Sequence, residues 1–153
     1  MKKIIAVFLC AVLCLMPLCG CGKDEQPSSP PGAVDIDVTE AMYVTYINEL
    51  YTNYQSYLGK VVRIQGMYAS EDMTGYGGGI YHYVYRVGPG CCGNDGTMCG
   101  FEFTWDSGYP EPNDWIEVTG VLGSYTENDC EYLTLDASEV RVLDERGAEV
   151  VSQ

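Results

Sequence analysis

Four cysteines carry the covalent and coordination chemistry open to the folded part of this chain. Cys91, Cys92, Cys99 and Cys130 stand apart from Cys10, Cys14, Cys19 and Cys21, which crowd into the first 21 of 153 residues. Asp95 lies between Cys92 and Cys99, and His82, the only histidine, precedes them on a strand-like segment. An exported, oxidising setting favours two structural disulfides among these four. Adjacent cysteines pair poorly, because a disulfide wants Cα atoms roughly 4.4–6.8 Å apart. One of Cys91 and Cys92 is therefore expected to pair with Cys99 across the Gly-Asn-Asp-Gly turn, and the other with Cys130. The same thiolates suit zinc or copper(I), with Asp95 or His82 completing the shell, although there is no Cys-x2-Cys pair. A third chemistry is thiol redox cycling at Cys91 and Cys92, which requires a lowered thiol pKa. His82 by itself reads as a partly buried strand residue rather than a ligand.

Catalysis finds no constellation. A nucleophile needs a base within hydrogen-bond reach, and His82 has no motif partner; Ser107 and Ser124 sit in turn-like segments without a nucleophile elbow. The glycine run at 75–79 lacks the Gly-Lys-Ser/Thr ending of a phosphate loop and reads as a hairpin tip. The turn at 106–114 has aspartates at both ends but not the spaced ligands of a calcium loop. The chain is expected not to be an enzyme.

The positioning of these residues begins with an address. Leu18-Cys19-Gly20-Cys21 follows Lys2, Lys3 and a short apolar run over 4–18, the pattern of a bacterial lipoprotein signal. The run is too short to span a bilayer comfortably. Cleavage before Cys21 and acylation of that cysteine, with palmitate-type chains, would hold the protein at the extracytoplasmic face of a membrane. All 22 acidic residues and six of the eight basic ones lie beyond residue 20, so residues 21–153 carry a net charge of −16. Such a surface repels nucleic acid and anionic headgroups, and leaves membrane attachment to the lipid. Residues 21–38, rich in proline, serine and charge, read as a flexible tether, and residues 147–153 as a tail.

Between them, residues 39–146 read as one domain. Tyr43, Tyr46, Ile47, Leu50 and Tyr54 recur with helical spacing, with Asp37 as the expected N-cap and Gly59 as the stop. Strands follow. Val62, Ile64 and Tyr68 alternate over 61–68, and residues 80–87 are aromatic and β-branched. Phe101, Phe103 and Trp105 alternate with Glu102 and Thr104, and Ile116, Val118 and Leu122 mark another strand. Segments 131–135 and 140–143 supply one or two more. Gly66 and Gly120 fall mid-strand, where small barrels bend. The pattern predicts a mainly β fold: a small OB-like Greek-key barrel of five or six strands preceded by one α-helix, with a β-sandwich as the competitor. The tyrosines of 80–87 could form a stacking platform, but the acidic charge points to core and rim packing instead.

The order of these features resembles the C-terminal domain of an uncharacterised bacterial permease-subunit family. The similarity runs through Tyr51-Thr52-Asn53-Tyr54, Gly59-Lys60 and the strand to Gly66, then Arg86, then Cys91-Cys92-Gly93-Asn94-Asp95, and finally Trp115-Ile116-Glu117-Val118-Thr119-Gly120. It covers roughly 40–143. Here a signal and lipid anchor replace that family's membrane-spanning part, and Cys99, Cys130 and the run at 75–79 are additions. The resemblance implies an OB-like fold and an accessory role beside a membrane permease, without a reaction. The expected function is a membrane-anchored extracytoplasmic lipoprotein acting as a non-enzymatic binding or accessory module. A soft-metal protein or a thiol redox protein acting through Cys91 and Cys92 are the alternatives.

Overall fold

The computed structural model describes residues 33–89 and 96–152. Cys21, Cys91, Cys92 and Asp95 lie outside them. The described elements are β1 (Ile36–Val38), α1 (Tyr43–Thr52), β2 (Val61–Asp72), β3 (Ile80–Gly88), β4 (Thr97–Thr104), β5 (Trp115–Glu127) and β6 (Cys130–Val142). Five strands close into a barrel in the order β2-β3-β4-β6-β5, with β5 returning to β2. The β4–β6 contact is parallel and the other four barrel contacts are antiparallel. This is the OB arrangement, and closure of β2 on β5 rules out the sandwich. The segments 131–135 and 140–142 belong to one continuous strand, β6, which ends one residue before Leu143.

The inward residues are those the alternation predicts. Val62, Ile64 and Tyr68 of β2, Phe101 and Phe103 of β4, and Ile116, Val118 and Leu122 of β5 join one buried cluster. Tyr43, Ile47 and Leu50 bring one edge of α1 into the same cluster. Tyr46 is instead exposed, and Tyr54 lies past the helix in a 3-10 turn. Asp37 is not the helix N-cap. It belongs to β1 and pairs with Arg63 at 2.6 Å, while a 3-10 turn, Glu40–Met42, leads into α1. The helical spacing locates the buried face, but pairing of β1 with β2 claims the residue expected to start the helix.

The glycines stand where the barrel must bend. β2 pairs with β5 from Val61 to Met67, then with β3 from Met67 to Asp72. Gly66 sits at this handover, and a Cβ there would collide with the Tyr85 carbonyl. At Gly120 the β5–β6 register shifts, and a Cβ would lie 2.7 Å from the Asp136 carbonyl oxygen.

The handover leaves one edge of early β2 and one edge of late β3 without a barrel partner. Unpaired backbone of that kind is costly when buried. β1 pairs in parallel with Val62, Arg63 and Ile64. On the other edge Val87 N–H donates to Glu149 O (2.8 Å), and Val151 N–H donates to Val87 O (2.9 Å). Val38 and Val151 are both buried. The fold therefore draws in residues on either side of the expected 39–146 domain.

Candidate functional site

The cysteines are not gathered into one site among the described residues. Cys99 lies on β4 opposite Arg86, half-buried, and burial pushes its thiol pKa up. Cys130 opens β6 opposite Glu127 and is exposed. Both are free thiols. The expected pairings with Cys91 and Cys92, and the role of Asp95, fall on residues outside the described structure. Among the described residues no group of three or more His, Cys, Asp and Glu is placed to hold a metal ion.

His82 is held by aromatic neighbours. Its ring stacks on Tyr109 with centroids 3.4 Å apart, and its Nδ1 lies 2.8 Å from the Tyr68 hydroxyl. Burial lowers its pKa, which favours the neutral imidazole. Tyr109 comes from the turn at 106–114. That turn is braced locally, with Trp105 N–H donating to the Tyr109 hydroxyl and Glu111 N–H donating to Asp114 Oδ2.

Arg86 is buried, at 2% exposure, beside the β2–β3 handover. Its Nε donates to Gln65 O (2.9 Å), and its Nη1 donates to Glu40 Oε2 and Ala148 O (both 3.1 Å). The guanidinium faces the rings of Tyr43 and Trp115, 4.7 and 4.8 Å from their centroids. Glu40 Oε2 also accepts from Ala148 N–H (3.0 Å). This cluster ties β2, β3, the start of α1 and the C-terminal segment together. It is a structural clamp in which the protein itself occupies the Arg86 and Glu40 contacts just named, while the Tyr43 hydroxyl and Trp115 Nε1 are buried without a hydrogen-bond partner among the described residues.

A concave feature that can take a ligand lies on the outer face of the barrel. A cleft of about 250 Å³ opens between the β2–β3 loop and the β5–β6 turn, across β3 and β4. OB barrels bind their ligands on the face and between the loops that correspond to these elements. Five tyrosine rings line it: Tyr76 from the loop, Tyr81 and Tyr83 from β3, Tyr125 from β5 and Tyr132 from β6. Glu71, Glu102 and Glu127 supply its carboxylates. Strand register sets these side chains next to one another, since Glu71 pairs with Tyr81, Tyr83 with Glu102, and Tyr125 with Tyr132. Tyr81 donates to Glu127 Oε2 at 2.6 Å, and Tyr125 donates to Glu102 Oε2 at 2.7 Å. Burial raises the Glu102 pKa, partly opposed by the Tyr125 hydrogen bond.

The flanking turns are built for this shape. Asp72 Oδ1 accepts from both Thr74 N–H (2.9 Å) and the Thr74 hydroxyl (2.6 Å), starting the 3-10 turn Thr74–Tyr76. Asn128 and Asp129 both have positive φ, 50° and 63°, as a tight two-residue hairpin requires. The sequence points to core and rim packing for the tyrosines of β3. Tyr81 and Tyr83 are instead half-buried on the outer face, where they line the cleft. Their alternation with His82 and Val84 is the available signal, but the partner strands are not legible in it.

Residues 23–145 match the family described as the DUF1980 C-terminal domain. No curated protein and no solved structure matches the chain.

Proposed function

We propose a role that starts from family membership: the chain belongs to the DUF1980 C-terminal domain family, and this member acts as a non-enzymatic binding module held at an extracytoplasmic membrane face through Cys21. The observation that carries the binding role is the tyrosine- and glutamate-lined cleft on the ligand face of an OB barrel. Two of its tyrosine hydroxyls, those of Tyr81 and Tyr125, donate to carboxylates. The anchor rests on the Leu18-Cys19-Gly20-Cys21 pattern and its flanks. No helix among the described residues is long and apolar enough to cross a membrane. Residues 21–35 separate the acylated cysteine from β1, a reach of at most about 50 Å when fully extended. The barrel would thus work close to the bilayer, where a membrane permease is the partner that the sequence resemblance suggests.

Metal handling and redox cycling would act through Cys91 and Cys92, which lie outside the described residues; of the two described cysteines, Cys99 is half-buried with a raised thiol pKa and Cys130 is exposed.

The test uses the full chain and its Cys21→Ser variant expressed in a bacterial host. The expected result is a lipid-modified, membrane-fractionating protein that external protease degrades in intact cells with the outer envelope removed. The variant should lose the lipid mass and leave the membrane pellet. A wild-type chain that remains unacylated and soluble would overturn the anchor.

A further inference from the structure

The cleft has a charge character that selects among ligands. Its three glutamates face a space lined by five tyrosines, and among the described residues no Lys, Arg or His lines it. Among the described residues the arginines are committed elsewhere: Arg63 to Asp37, Arg86 to Glu40, Arg141 to Glu117 and Glu139, and Arg146 to Glu149. None of these ion pairs includes Glu71, Glu102 or Glu127. Two of the three carboxylates are instead oriented by tyrosine hydroxyls, through their Oε2 atoms. A neutral hydroxyl orients a carboxylate without cancelling its charge. Aromatic faces attract cations through the ring quadrupole, best where water is partly excluded. The stacked Tyr125 and Tyr132 rings, 5.5 Å apart, form one wall, and Tyr83 beside half-buried Glu102 forms the floor.

We propose that this cleft binds a small organic cation, a protonated alkylamine of the polyamine class, with its ammonium groups against Glu102 and Glu127 and its methylenes along the tyrosine rings. The proposal rests on reading the barrel face as a ligand site and names the ligand class for it. The volume of about 250 Å³ suits a slender aliphatic amine and is below the usual range for drug-sized ligands. Charge complementarity excludes an anionic occupant. Inorganic divalent cations lack the apolar surface that five rings would cover.

The test is calorimetric titration of spermidine into the full-length chain in detergent, at physiological ionic strength, with magnesium chloride, tetralysine and maltotriose as comparison probes. The expected result is saturable one-to-one binding of spermidine that magnesium does not reproduce. Glu102→Gln and Tyr83→Leu should each weaken it about tenfold, while Glu145→Gln, outside the cleft, leaves it unchanged. Glu71→Gln is the second carboxylate variant, at an exposed position where folding is not at stake, and should weaken binding in the same direction. Equal binding of magnesium, or spermidine binding indifferent to all three cleft variants, would reduce the effect to general polyanion attraction and overturn the proposal. Cleft-dependent binding of maltotriose or tetralysine without spermidine would overturn the small-cation assignment while leaving the face as a ligand site. Absence of cleft-dependent binding for every probe would remove the ligand-site reading along with it.

Discussion

Arg86 Nη1 donates to Glu40 Oε2 across 3.1 Å, joining late β3 to the turn that starts α1. The two residues are 46 positions apart, and the pair sits where β2 leaves β5 for β3. Arg86 fills the opening that this change of partner creates, and Glu40 turns its other contact to the Ala148 amide. Gly147 completes the packing: a Cβ there would stand 2.8 Å from Glu40 Oε2 and 3.0 Å from the Trp115 ring.

Arg86→Ala should therefore destabilise the domain by on the order of 3 kcal/mol, since it strands the Gln65 and Ala148 carbonyls and empties the space between two rings. Arg86→Lys should recover only part of the loss, because one ammonium cannot reproduce the planar, forked set of donors. Urea denaturation midpoints of the two variants check this. Equal stability of arginine and lysine at this position would contradict the clamp.

Gly66→Ala should cost roughly 2–3 kcal/mol through collision with the Tyr85 carbonyl, a backbone atom that cannot rotate away. Gly75→Ala is the control, since its Cβ would meet no atom within 4 Å. Thermal melts of the two variants distinguish a bend requirement from a general glycine preference.

Glu40 and Glu102 predict opposite responses to pH. The Ala148 amide, then Arg86, holds the Glu40 carboxyl below the usual carboxylate range. Its contribution is present above the unfolded-state pKa and is lost as pH falls through the depressed folded value. Glu40→Gln should flatten the acid limb of the stability profile. Glu102 is raised by burial, so its contribution is full below the unfolded-state pKa and is lost as pH rises through the folded value. The titratable groups around it are Tyr125, which donates to it, Tyr83 across the ladder, Tyr51 and Tyr81, and Glu127, whose charge adds to the rise. Glu102→Gln should therefore increase stability at pH 7 relative to wild type while weakening amine binding, the signature of a functional rather than a structural carboxylate. Denaturation midpoints between pH 3 and 8 check both signs.

Cys130 and Cys99 should differ in reactivity in the reduced protein. Cys130 is exposed beside the hairpin turn, whereas Cys99 is half-buried with its pKa raised. Alkylation followed by peptide mass mapping should show Cys130 modified at least about tenfold faster. Equal rates would place Cys99 in a more open environment than β4 provides.

Short windows of the chain carry the local part of this fold. Alternation identifies the inward residues of β2, β4 and β5, helical spacing identifies Tyr43, Ile47 and Leu50, and mid-strand glycines mark Gly66 and Gly120 as bends. Each follows from the period of an element or from the space a Cβ occupies, so a few neighbouring residues contain the information. The cleft and the clamp depend on register between distant strands, which no window contains. Tyr83 meets Glu102, and Tyr125 meets Tyr132, only once the ladders are aligned; Tyr81 reaches Glu127 only once the barrel closes. Arg86 carries the family resemblance as one letter in a strand, but its burial against Tyr43 and Trp115 follows from the partner exchange of β2. The edges left by that exchange also draw Ile36–Val38 and the segment around Val151 into the fold. Tertiary structure decides these features because backbone groups at a buried sheet edge must find partners, and the nearest chain to supply them lies in segments whose composition reads as tether and tail.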